Sequence, residues 1–445
     1  MKRWFELLFY VTFGAGMAFG MSSFTMLSGL NEIVTGPWVV VAIVLAGLLC
    51  SAIASSVAEL ASMYPSSPGV RTYLKAAFDN RVSLLLVYLY LIFMVLVAAV
   101  EAFMFGLVLH AVLPGVPELA AALAIIGFTI VVNLFGLELP KTMQIVTTLL
   151  LIVLIMTLGV VGITRGAELP AAGEGWAQAA KVPAAIGMAV YLFIGFEWIT
   201  MLGMRPDSYK RTIPLSMPLA IATNVVAYSL CAFGFWRMLP HATIVAGTTP
   251  QIPYFTALLG PTGPYLALGI SFLAIFSTFN AGVMGGSRLI YALTREGILP
   301  GWCAKMNERG APVGGILTLG SLAALIAVIV VTWRLEVLAA VIGSAFVCFV
   351  YAAFMLAVIK LRRTRPQARR SFRTAVPEWL QWGIAGAFPL LGLSSLVSQP
   401  GPKSLPIAGA LAFVAAAALL TRWSHARTEK SKRATPYRTV LEPEA

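Results

Sequence analysis

FGAGMAFGMSSF, residues 13–24, sets Gly14, Gly16 and Gly20 in one apolar stretch and follows them with Ser22 and Ser23. Glycine weakens a helix, and hydroxyl side chains re-satisfy the backbone groups that an interruption frees, so the stretch predicts a membrane helix broken near its middle. A second interruption is predicted at YLFIGFEW, residues 191–198, where Gly195 is followed two positions later by the acidic Glu197. Glycines at such depths also serve close packing between helices, and that reading stands for the first stretch taken alone.

Composition supports the membrane setting. The chain has 445 residues, 59% hydrophobic and 11% charged, whereas a soluble domain carries about a quarter charged residues. An ordinary soluble enzyme is thereby excluded. Twelve apolar stretches fall near 8–30, 38–63, 82–112, 119–137, 142–164, 183–203, 213–237, 263–285, 313–332, 336–360, 379–398 and 404–422, each about the length a bilayer requires. The start MKRWFELLFY imitates a signal peptide, but its apolar run continues past residue 20 without a cleavage motif, so it is read as a retained first span. The interruptions therefore lie in spans one and six. That spacing is what an inverted repeat of five spans plus five produces, and paired interruptions point to a transporter's binding site. A half-helix N-terminus offers N–H groups to a carboxylate, while exposed carbonyls suit an ammonium or a small cation.

A net charge of +13 would suggest nucleic acid in a soluble chain, but here the positions of the basic residues matter more. With the N-terminus in the cytoplasm, every one of the 31 basic residues except Arg165, Lys181, Arg237, Arg334 and Lys403 falls on the cytoplasmic side. Both termini are accordingly expected in the cytoplasm. The basic segments are read as topology determinants in contact with anionic lipid headgroups, and no nucleic-acid partner is expected. Cys50, Cys231, Cys303 and Cys348 occur singly, without metal-type spacing, and are expected to behave as small core hydrophobes. A membrane-embedded enzyme is disfavoured because HExxH, GxSxG and metal-cluster patterns are absent from the sequence.

The segment SRLIYALTREGILPGWCAKMNERGAPVGGIL, residues 287–317, resembles the loop after the eighth span of the amino acid-polyamine-organocation (APC) superfamily of transporters. AELASMYPSSPGVRTYLKAAF (58–78), GFE (195–197) and KRTIP (210–214) agree with the same family in the expected order. The resemblance implies an all-α integral membrane protein with a leucine-transporter-type inverted repeat. Spans one to five would occupy 1–165 and spans six to ten 182–361, followed by a basic loop at 362–378, two further helices at 379–423 and a basic tail at 424–445. It also implies alternating access around a site between spans one, three, six, eight and ten. The unwound parts would be Gly20-Met21-Ser22, with Ser22 standing where the family has its second glycine, and Ile194-Gly195-Phe196.

Charges deep in a span cost about 2.5–3.5 kcal/mol each on insertion scales, so each needs a reason. Glu59, near the end of span two, is expected to pair with a loop arginine or a backbone N–H. Glu197 either takes part in amine or proton recognition, as its family position implies, or caps exposed backbone. Glu101 in span three either faces the pocket and meets an amine, or carries a proton or bridges helices without touching substrate. Tyr191 falls where the resemblance places an aromatic over the substrate, and ring faces attract ammonium groups. Ordinary packing is the competing role. The candidate substrate residues are thus Gly20, Met21, Ser22, Ser23, Glu101, Tyr191, Ile194, Gly195 and Glu197.

For coupling, the span-five lysine of many bacterial relatives is missing, leucines standing at 150 and 151. Ser277 and Thr278 offer oxygen ligands of the kind a sodium ion takes, or else bond back to their own helix. The expected function is secondary active transport of a small amine-bearing solute, an amino acid or a polyamine-like cation, by symport or exchange with H+ or Na+ as coupling ion. The alternative is a transport-fold nutrient sensor. No cofactor or metal is expected; a small membrane subunit or a homo-oligomer is compatible, and a bacterial inner membrane is the expected location.

Overall fold

The computed structural model describes residues 2–65, 69–166, 175–202, 206–397 and 403–434. Part of the basic tail assigned to 424–445 therefore lies outside the described residues. In chain order the helices are α1 (Lys2–Ala18), α2 (Ser22–Ile33), α3 (Pro37–Met63), α4 (Gly69–Ala77), α5 (Asn80–Val112), α6 (Glu118–Leu134), α7 (Glu138–Arg165), α8 (Gly175–Ala179), α9 (Val182–Ala189), α10 (Pro206–Met238), α11 (His241–Val245), α12 (Gln251–Leu259), α13 (Gly263–Arg295), α14 (Val313–Trp333), α15 (Glu336–Thr364), α16 (Glu378–Val397) and α17 (Ser404–Ala434). Among the described residues, ten helical stretches are long and apolar enough to cross a membrane, and the bent pair α1–α2 makes eleven. α6, the fourth stretch of the sequence reading, is apolar but only 17 residues long.

The predicted interruption of span one is a bend of 57° between α1 and α2. Its glycines divide their work. A Cβ on Gly16 would stand 2.1 Å from Ser277 Oγ, so Gly16 lets α1 approach α13 closely, whereas Gly20 alone lies in the break itself. Both readings of this glycine-rich stretch therefore apply, to different residues.

α10 lies against α1, α3 and α7, and α15 packs between α5 and α16. α15 is the most buried span and α17 the least, with Leu405, Leu411 and Leu419 each more than half exposed on its outer face. Apolar groups exposed along a helix of this length suit contact with lipid. The four cysteines are buried and unpaired.

Two charge clusters tie the helix ends that meet on the basic-loop side. Glu59, at the end of α3 and fully buried, receives Arg362 Nε at 2.9 Å and Nη2 at 2.6 Å, the Thr374 amide at 3.0 Å, and an ion pair from Arg370 at 3.3 Å. The pairing expected for Glu59 is what the fold contains. Arg71 on α4, 1% exposed, reaches Glu296 at 3.1 Å beyond the end of α13 and bonds Asn80 and Ser83, while Lys75 meets the same Glu296 oxygen at 3.1 Å. Beyond the break, α2 is held by neutral groups: Thr25 Oγ1 donates to Thr248 O at 2.7 Å and Ser28 Oγ to Ile244 O at 2.5 Å.

Candidate substrate site

A helix begins with backbone amides that have no intrahelical acceptor. At the start of α2 two of them, Met21 N and Ser22 N, point at the carboxylate of Glu101 on α5, at 2.5 Å and 3.2 Å. The Ser22 hydroxyl donates to the same carboxylate. Glu101 is 2% exposed, and the positive end of the α2 dipole stabilises an anion there. It lies so close over Gly20 that a Cβ at that position would stand 2.6 Å from Oε1. The Ser22 hydroxyl thus adds a third donor for the carboxylate.

Glu101 borders a small cavity with Met17, Ala18, Gly20, Ser22, Phe93, Val97, Tyr191, Ile194 and Thr278. Its volume of about 20 Å³ holds a water molecule and little more. A second, apolar cavity of about 50 Å³ adjoins it through Met17, Val97 and Thr278, and extends past Met94, Trp198, Phe279 and Leu319. Of the candidate residues, Gly20, Ser22, Glu101, Tyr191 and Ile194 therefore meet around one space, together with Thr278. Met21, Ser23, Gly195 and Glu197 stand beside that space without lining it. The Ser23 hydroxyl is engaged with Tyr228 at 3.0 Å and the Ala18 carbonyl at 3.3 Å.

The second interruption follows α9. A short 3-10 turn at Val190–Phe193 gives way to an extended Ile194 and to Gly195 at φ +121°, and a further 3-10 segment runs over Phe196–Met201. Glu197 folds back on this break. Its carboxylate receives the Gly195 amide at 3.2 Å and the hydroxyls of Tyr90 and Tyr351 at 2.7 and 2.6 Å. The geometry is that of a backbone cap with two tyrosine supports.

Comparison with known proteins supplies the family and the fold. A family model described as amino acid permease matches residues 4–433. The chain belongs to the amino acid permease family. Among its relatives are the gamma-aminobutyric acid permease of Escherichia coli (strain K12), 23% identical over 415 residues, covering 87% of this chain and 88% of that protein, and the methylthioribose transporter of Bacillus subtilis (strain 168), 24% identical over 398 residues, covering 81% of each. A solved structure of the Eremococcus coleocola manganese transporter superposes with a TM-score of 0.62 at 13% identity, over 96% of both chains, and so shares the fold. The chain is an integral membrane protein, and permeases are transporters, so the reading as a membrane-embedded enzyme falls.

In this permease the hydroxyls of Ser277 and Thr278 are both engaged. Ser277 Oγ accepts from Gln144 Nε2 at 3.0 Å and lies 2.7 Å from Thr148 Oγ1, while Thr278 Oγ1 donates to the Gly16 carbonyl at 3.1 Å. Asn280 extends the network, donating to Gln144 Oε1 at 2.9 Å and to the Pro140 carbonyl at 2.8 Å. Among the described residues, no group of three or more His, Cys, Asp or Glu side chains is placed to hold a metal ion.

Several working residues escaped the sequence reading. Tyr90 and Tyr351 support Glu197, Gln144 binds Ser277, and Tyr228 with Asn224 holds the carbonyls of Ala18 and Ala15 at the end of α1. One signal was available: Tyr90, Phe93, Val97 and Glu101 recur at helical spacing, which places them on one face of α5. Gln144 and Thr148 on α7, and Asn224 and Tyr228 on α10, are also four residues apart, but a shared face does not reveal their partners, which depend on which helices become neighbours.

Proposed function

We propose that this permease is a secondary transporter that moves a small amine-bearing solute, an amino acid or an organic amine, by alternating access. The observation that carries this reading is a cavity shared by both interrupted spans and bordered by a buried carboxylate. The end of α1 adds the negative pole of its dipole to Glu101, so an ammonium is electrostatically matched. The relatives' names cover solutes of different kinds, gamma-aminobutyric acid and methylthioribose, so the solute is argued from the site.

For coupling we favour proton-linked transport or exchange over sodium. A ligand set for sodium needs oxygens turned toward the ion, and the Ser277 oxygen instead receives an amide N–H from Gln144. The twelve-span topology with the repeat boundaries given above, both termini in the cytoplasm, and location in a bacterial inner membrane belong to the same proposal.

The test is uptake and exchange by the purified protein in proteoliposomes, with labelled amines and amino acids, under proton gradients, sodium gradients or none. Saturable transport that survives complete replacement of sodium by N-methylglucamine is expected. Absence of saturable transport for every amine and amino acid under all three conditions overturns the transporter reading, and binding without translocation supports a sensor instead.

A further inference from the structure

The transport reading leaves open which amine-bearing solutes fit, and the start of α2 bears on that choice. A zwitterionic amino acid brings a carboxylate that needs N–H donors in a buried site. The donors that an interrupted helix provides are the first amides of its second half. Here both of those amides, and the hydroxyl beside them, already hold the protein's own carboxylate. Because Glu101 lies directly over Gly20, no second carboxylate fits between it and α2. Placing one elsewhere in the cavity would set two anions side by side at low dielectric, which is strongly unfavourable unless one is neutralised.

An ammonium meets the opposite situation. Glu101 and Tyr191 stand at the cavity wall, and the negative pole of the α1 dipole lies beside them. The adjoining chamber is lined by apolar and aromatic side chains with two threonines and contains no carboxylate. A short apolar chain suits it, whereas a second ammonium would be buried there without a counter-charge. Glu197 does not supply one, since it is outside the lining of both cavities.

We propose that the permease selects small monoamines with an apolar tail and no free carboxylate, with Glu101 standing permanently where the carboxylate of an amino-acid substrate would bind. This rests on the transporter reading and narrows its substrate class.

The test uses wild-type protein in proteoliposomes and four matched solutes: isobutylamine, valine amide, valine and 1,4-diaminobutane. Isobutylamine and valine amide are expected to inhibit transport or bind at least tenfold more tightly than valine, and isobutylamine at least tenfold more tightly than the diamine. Glu101→Gln, close in shape but uncharged, is expected to weaken isobutylamine at least tenfold. Glu101→Ala, which frees the α2 donors, is expected to improve valine relative to isobutylamine. Thermal midpoint and size-exclusion profile establish that each variant is folded, and the wild-type comparison stands if neither is. Valine handled as well as isobutylamine by the wild type overturns the proposal while leaving the transporter reading intact, and so does an equal response to the diamine. If none of the four binds or moves, and the wider survey of amines and amino acids is also negative, the transporter reading fails and takes this proposal with it.

Discussion

Gly195 is held at φ +121°, and a Cβ there would stand 2.6 Å from the Met17 side chain on α1. An alanine thus meets a backbone penalty of about 1–3 kcal/mol and a steric conflict with the other interrupted span. Gly195→Ala is expected to lower the thermal midpoint of the purified protein and to cut transport at least tenfold; an unchanged midpoint with full transport would count against the close contact. Gly20 is constrained differently, since its neighbour is the Glu101 carboxylate. Residue by residue, the sequence marked the interruptions correctly because glycine's missing side chain leaves a visible gap in an apolar run. It left the duties of Glu101 and Glu197 open, because a carboxylate looks the same whether it faces a solute or a neighbouring amide. The donors that distinguish them come from residues distant in the chain: Met21 and Ser22 lie about 80 positions from Glu101, and Tyr351 lies 154 from Glu197.

Among the helices, the junction of α3, α15 and the segment that follows it is fixed by one carboxylate. Glu59 is fully buried, so removing its charge strands the partly buried Arg362 and Arg370 guanidinium groups. Loss of one partner of a buried pair typically costs about 3–5 kcal/mol. Glu59→Gln should therefore lower the thermal midpoint and the folded yield sharply, and Arg362→Lys should fail to match wild-type stability, since an ammonium cannot make the two parallel bonds of a guanidinium. Wild-type stability in both variants would argue against the cluster as a fastening. Helix positions were largely legible in the sequence, since long apolar runs bounded by charge coincide with α3, α5, α7, α14 and α15. The bending at residues 19–21 and the 3-10 geometry around Gly195 were legible only as places. Their shapes depend on side chains from α5, α10 and α15 that satisfy the freed backbone groups.

Across the molecule, the concentration of arginines in 362–373 carries the orientation argument. A green fluorescent protein fused after residue 445 should fluoresce in a bacterial host, and an alkaline phosphatase fused there should be inactive; the reverse pattern would invert the topology. The same face carries a property of another kind. Its fastenings are charged, and one of them, Lys75 with Glu296, is partly open to water, with side chains 49% and 23% exposed. On the opposite side α2 itself is held by hydroxyl-to-carbonyl bonds, and the ion pair there, Arg334 with Glu118, joins the end of α14 to α6 rather than to the bend. Dissolved salt screens the first kind and leaves the second nearly untouched, the Debye length shrinking from about 8 Å at 0.15 M to about 3 Å at 1 M. Exposed ion pairs are worth about 0.2–1 kcal/mol, so screening shifts an opening equilibrium by at most about fivefold. The permease should therefore respond to ionic strength unequally from its two compartments: in oriented vesicles, added potassium chloride should change the exchange rate more on the Glu296 side, where the ion pairs tie α4 to the end of α13, than on the other. Equal responses from both sides would remove the asymmetry. A difference between them would make the salt content of one compartment a control on how readily the carrier opens toward it.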